Sequence, residues 1–226
     1  MPALFQTRGL NMQNNKIDFI KWLRVLLYFE SAALVFSLLD YIPIGFSLFT
    51  WLIRICQIGT IVCLFGVTFA GKRYLAAAIL GSIQLILTVA QSVIIFFFNL
   101  LLLWGIVSME DFEAWSSFCA VLSLIAMVAG WIYTYQYYHA NGDLIKKSNP
   151  SLCRKWYHLF FWNLLIGIGI TISSMIFSTI YGNMGLNNQT LLTLFYSLIK
   201  IPNQIIMLMG VLYLHRTIQI IERKEE

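Results

Sequence analysis

A chain of 226 residues that is 59% hydrophobic and only 11% Asp, Glu, Lys and Arg lies far from the roughly one-quarter charged composition of soluble domains. It has room for several spans of about 20 residues each but not for spans plus a large soluble domain. A net charge of +5 would suggest nucleic acid in a soluble protein, and the positions of the charges exclude that reading here.

The N-terminal stretch Met1 to Lys16 is polar and mixed. It lacks the order of a cleaved signal peptide, so the first span is expected to be retained. Span one is predicted from about Trp22 to Leu39, behind Lys16, Lys21 and Arg24. The link from Asp40 to Gly45 contains Pro43 and no cation, and carries turn chemistry. Span two covers about Phe46 to Ala70 and ends at Gly71-Lys72-Arg73. The apolar run that begins at Tyr74 continues to Val107, longer than one span requires. The span is placed at Tyr74 to Phe98, with Asn99 to Val107 as an interfacial or tilted extension.

An acidic link with Glu110, Asp111 and Glu113 precedes span four, about Ala114 to Tyr138. A polar connection, His139 to Lys155, leads to span five at about Trp156 to Ile180. The uncharged link Tyr181 to Asn188 leads to span six at about Thr190 to Leu214, and the tail ends in Glu222-Arg223-Lys224-Glu225-Glu226. The chain therefore divides into an N-terminal segment 1–21, a six-helix transmembrane domain 22–214 and a C-terminal tail 215–226.

The cations test this topology. Of the fifteen Lys and Arg, Arg54 and Lys200 fall inside spans; all the others lie on one side and the opposite links carry none. Short positively charged loops stay cytoplasmic. The expected fold is thus an all-α integral membrane protein, a six-transmembrane-helix bundle with both termini cytoplasmic, in the plasma (cytoplasmic) membrane. Splitting the third run in two would turn Lys146 to Lys155 outward. The aromatic residues agree, with Trp22, Tyr74, Tyr137, Tyr138 and Trp156 at one set of ends and Tyr41, Trp115 and Tyr181 at the other, as an interfacial belt.

Three charges lie inside the apolar segments. At about 1.5 Å per residue, Glu30, Arg54 and Lys200 sit ~15, ~12 and ~15 Å below the outer ends, near one level. A lone charge at that depth is costly, so such residues face the bundle interior and pair. Glu30 is expected to pair with Arg54 or Lys200, leaving one positive charge for water, carbonyls or an anionic ligand. Pro202 follows Lys200, frees a carbonyl near residue 198 and weakens the helix there. The residues expected to line a site are Glu30, Arg54, Gln57, Lys200, Asn203 and Gln204. The competing expectation is a structural ion pair that fixes helix register, with Lys200 satisfied by Asn203, Gln204 and water.

Two stripes at helical spacing supply further polar surface: Gly81, Gln84, Thr88 and Gln91 in span three, and Asn163, Gly167, Thr171, Ser174 and Ser178 in span five. Such stripes serve equally for close packing, and Cys119, Ser123, Ala126 and Gly130 in span four have that character. Leu48 to Ile55 matches Leu194 to Ile201 at five positions and sets Arg54 opposite Lys200, which raises a parallel internal repeat. The four cysteines have no metal spacing, and His139, His158 and His215 fall at helix ends. Cys153 and His158 lie close enough in sequence to be weighed as a nucleophile and its base, but no third group orients them. No hydrolase, metalloprotease or phosphate-loop motif is present, so no catalytic residue, cofactor or metal is expected. Asn188-Gln189-Thr190 fits a glycosylation sequon, and the basic stretch Lys146 to Lys155 suits anionic lipid heads.

These features support a small transport or solute-binding membrane component with a polar site at mid-membrane depth. The expected partners are the lipid bilayer, a small anionic or zwitterionic solute and partner membrane helices. The alternative is a non-catalytic scaffold, regulatory or immunity subunit working through such helices.

Overall fold

The computed structural model describes residues 3–40, 48–70, 72–183 and 189–223. The turn at Tyr41 to Gly45, the sequon at Asn188 and the end of the tail lie outside them. The described chain is helical, with no strand. It consists of α1 (Ala3–Leu39), α2 (Leu48–Ala70), α3 (Leu75–Leu103), α4 (Met109–Ile145), α5 (Pro150–Asn183) and α6 (Gln189–Glu222), with one 3₁₀ turn at Lys72–Tyr74. Each of the six contains a stretch long and apolar enough to cross a membrane.

The helices outrun the predicted spans because leaving the apolar segment does not break a helix; a helix stops where the backbone is redirected. The connection expected from His139 to Lys155 shrinks to residues 146–149, since α4 continues to Ile145. The restart at α5 is local chemistry. Pro150 occupies the first helical position, and the Asn149 carboxamide oxygen accepts from the Leu152 N–H at 3.0 Å. At the end of α3, Gly105 takes φ +68°, and the N–H groups of Gly105 and Ile106 return to the carbonyls of Leu102 and Leu101. This turn falls inside the predicted Asn99 to Val107 extension, of which Asn99 to Leu103 is the last part of α3.

Each helix packs on its neighbours in the chain, and α6 packs back on α1, so the six close into an antiparallel ring. Small residues admit large rings at the seams. A Cβ on Gly66 would run into the Trp22 ring and one on Gly59 into the Phe29 ring, which fixes the α1–α2 approach. Across α3 and α4, Gly81 lies under Tyr133 and Gly130 under the Gln84 amide. Further along the same seam, Gln91 Nε2 donates to Ser123 Oγ at 3.3 Å.

The core gathers at the end that carries the cations. Leu23, Leu26, Cys63, Leu64, Val67, Tyr74, Ala77, Ala78, Ile145, Trp156 and Leu214 are almost wholly buried there. Tyr74, Tyr137, Tyr138 and Trp156, expected in an interfacial belt, are buried in this core. Their polar tips explain why they tolerate it: Trp156 Nε1 donates to Thr217 Oγ1 at 3.1 Å, and the nearby Tyr74 hydroxyl donates to Asn141 Oδ1 at 2.9 Å. Asn141 Nδ2 in turn donates to the Tyr137 carbonyl at 2.9 Å. Across this end Arg24 bridges to Glu222 at 2.8 Å, tying α1 to α6.

Candidate functional site

Next to this core, where the bundle widens, lies a cavity of about 190 Å³. Helix α1 contributes Glu30 and Ala33; α2 contributes Ile53, Arg54, Gln57, Thr60 and Ile61. From α3 come Gly81, Gln84, Leu85 and Thr88, from α4 Tyr133 and Thr134, and from α6 Met207. The volume is many times the ~10–15 Å³ that one water needs, and exceeds the ~150 Å³ of a cavity that takes a benzene-sized guest.

The lining is polar in a specific way. Arg54 Nη1 donates to Gln57 Oε1 at 2.9 Å, one turn along the same helix, which aims the guanidinium and leaves its other N–H groups without a hydrogen bond among the described residues. Thr88 and Thr134 return their hydroxyl protons to the carbonyls of Gln84 and Gly130, so their oxygens keep lone pairs. Glu30, half-buried, has neither a hydrogen bond nor an ion pair among the described residues. Polar groups withdrawn from bulk water normally have partners, and a half-buried carboxylate without one among the described residues marks a place that water or a solute completes.

The six residues expected to line a site divide cleanly. Glu30, Arg54 and Gln57 come together at the cavity. Lys200, Asn203 and Gln204 do not reach it. Lys200 Nζ instead meets Asp40 Oδ2 at 3.4 Å, with side chains 56% and 27% exposed. Counted by depth, Lys200 is as good a partner for Glu30 as Arg54; the antiparallel α1–α6 seam carries it to Asp40, ten residues further along the chain and just past the end of α1. Gln204 is buried but serves the same seam, donating from Nε2 to the Ser37 carbonyl at 2.9 Å and to its hydroxyl at 3.3 Å. Asn203 is exposed. Pro202 sits inside a continuous α6.

The span-three stripe turns toward the cavity at Gly81, Gln84 and Thr88. Thr60, Tyr133 and Thr134 were not singled out as lining residues. Thr60 carried a usable signal, lying one turn beyond Gln57 in α2. The span-five stripe goes elsewhere: Thr171 and Ser174 border a crevice of about 710 Å³ between α3, α4 and α5, together with Cys119, Ser123 and Gln91. Ser178 has no described side chain. The repeat positions also part company, since Arg54 faces the cavity and Lys200 the α1 seam. Among the described residues no three His, Cys, Asp or Glu side chains gather as a metal site. Cys153 is buried while His158 is exposed.

Compared with known proteins, the chain matches no family, no curated protein and no solved structure.

Proposed function

We propose that this protein is a small membrane component that binds or transports a solute, and that the solute occupies the cavity between Glu30 and Arg54. The observation that carries the reading is the unpartnered Glu30 carboxylate sharing a cavity of about 190 Å³ with the Arg54 guanidinium. An acid and a base that face one space without meeting suit a zwitterion, its ammonium toward Glu30 and its carboxylate toward Arg54. Gln84, Thr88 and Thr134 offer hydrogen bonds to the remainder. Because the core closes the cation-bearing end, the solute enters from the opposite half. By the positive-inside bias, that half faces outward, the termini are cytoplasmic and the membrane is the cell membrane.

The test is thermal unfolding of the detergent-purified protein against a panel of small amino acids, betaines, carboxylates and amines. A ligand at one hundred times its Kd stabilises by about 2.7 kcal/mol. A zwitterion should raise the midpoint, and Glu30→Gln and Arg54→Gln should each abolish the rise. A flat panel, or a rise that survives both substitutions, overturns the proposal.

The crevice between α3, α4 and α5 favours a second reading. Its small and polar walls, Cys119, Ala120, Ser123 and Ser174, would admit a partner helix closely, as in a scaffold or regulatory subunit. Co-purification of a defined membrane partner that Ser123→Phe displaces would support it.

A further inference from the structure

At the cation-bearing end, α5 and α6 leave a hollow of about 280 Å³ between the first turns of one and the last turns of the other. Three cations border it: Lys155 from α5, and Arg216 and Arg223 from α6. Among the described residues, no carboxylate lies in its wall. Glu222, next to Arg223 in the chain, is committed to Arg24 across the α1 seam at 2.8 Å. None of the three cations makes an ion pair among the described residues. Three like charges facing one hollow repel one another, and the arrangement is relieved by an anion.

The chemistry of the wall narrows which anion. Two guanidinium groups offer paired N–H donors that match phosphate oxygens, and the lysine adds a point charge. Ser151 and Gln219 bring further polar groups to the rim. The Ser151 hydroxyl is turned to the Asn149 carboxamide oxygen at 2.8 Å, and the same oxygen caps the helix, so the start of α5 is already satisfied and the cations are the anchor. Leu152 and Ile220 give the hollow an apolar wall, as a phosphate ester with an organic substituent requires. The site lies at the ends of apolar helices, where headgroups of a bilayer would stand, and basic pockets between such helices hold anionic headgroups.

We propose that this hollow binds a phosphate group, presented by an anionic lipid headgroup or as a free phosphate. The site is separate from the central cavity and does not depend on its occupant. The test uses the full chain in neutral detergent with phosphatidylglycerol, phosphatidylcholine or inorganic phosphate, read by native mass spectrometry and thermal unfolding. The variant Lys155→Gln/Arg216→Gln/Arg223→Gln is set against Lys72→Gln/Lys146→Gln/Lys147→Gln, which removes the same charge away from the hollow.

Wild type and the control should retain phosphatidylglycerol over phosphatidylcholine, and the hollow variant should lose at least tenfold in apparent affinity. Stabilisation by phosphatidylglycerol alone assigns the site to lipid; equal stabilisation by inorganic phosphate, lost in the same variant, assigns it to a soluble phosphate. Equal losses in both variants, or equal binding of the two lipids by wild type together with no stabilisation by inorganic phosphate, overturn the proposal. If the triple variant does not fold, Arg216→Gln alone decides, with at least a threefold loss expected.

Discussion

The two halves of the bundle are built differently from similar material. At the cation-bearing half, alanines and glycines at 66, 77, 78, 140 and 142 bring helices close enough for Trp156 and Tyr74 to be enclosed. Polar atoms there pair at 2.9–3.1 Å, as in Tyr74–Asn141 and Trp156–Thr217. At the opposite half the large residues point outward, among them Phe96, Phe97, Leu103, Trp104, Phe118, Ile172 and Met175. The crevice between α3, α4 and α5 opens there, and its polar bridges are sparse: Gln91–Ser123 at 3.3 Å, Lys200–Asp40 at 3.4 Å and one shorter bond, Gln204 to the Ser37 carbonyl at 2.9 Å. In lipid, apolar burial alone does not drive helices together; close packing and hydrogen bonds do. The first half is therefore the stable base, and the cavity with Glu30 and Arg54 stands where the base gives way to the open half.

The sharpest way to break this comparison is to remove one tryptophan from each half. Trp156 is 0% exposed and Trp104 is 64% exposed. Trp156→Ala deletes the buried ring and the bond that the Thr217 hydroxyl accepts from it, and should cost about 3 kcal/mol or more. Trp104→Ala should cost less than about 0.5 kcal/mol. Reversible unfolding of both variants in mixed micelles measures the difference. Equal losses would mean that the open half is as tightly held as the base.

A smaller effect separates Lys200 from the buried charges. Its partner Asp40 is accessible and so is Lys200 itself, so Lys200→Met should shift stability by no more than about 1 kcal/mol. Had it answered Glu30 in the interior, its removal would strand a buried acid at about 3–5 kcal/mol. The unfolding midpoint of Lys200→Met distinguishes the two arrangements, and a large drop would break the assignment of this seam to the open half.

Much of this architecture is legible in the amino-acid order. Runs of apolar residues and the interrupting cations mark six helices, because hydrophobic length and loop charge are local properties. The face of α2 bearing Arg54 and Gln57, and the face of α3 bearing Gly81, Gln84 and Thr88, follow from helical period alone. What local pattern does not contain is the rotation and axial shift of one helix against another. That shift sends Lys200 to Asp40 and Gln204 to Ser37. It also takes Tyr137, Tyr138 and Trp156 from an expected interface into the core, since a tyrosine with a covered neighbour reads the same as one at a headgroup. The helix ends were misplaced for a related reason: polar residues from His139 onward signal departure from an apolar environment, whereas Asn149 and Pro150 signal the restart of a helix.

The smallest expected effect lies at the start of α4, in the open half, where Asp111 stands six residues before the apolar stretch that begins at Ser117. The Ser108 hydroxyl donates to Asp111 Oδ2 at 2.6 Å and accepts from the Asp111 N–H at 3.2 Å, while the Ser108 N–H reaches the same carboxylate at 3.3 Å. These bonds, the hydroxyl's first and the backbone's second, hold the Asp111 carboxyl below its usual value of 3.8, with burial opposing them. Because the folded value is the lower one, the cap's contribution is complete above the ordinary aspartate value and is lost as pH falls through the folded value. The Asp111 carboxyl carbon shift, followed by NMR, should titrate below 3.8 in wild type and return toward it in Ser108→Ala. An unchanged titration in that variant would sink the cap as its cause. Acid should also fray this first turn without unfolding the Trp156 core, because a local opening at a helix end in the open half does not depend on the base.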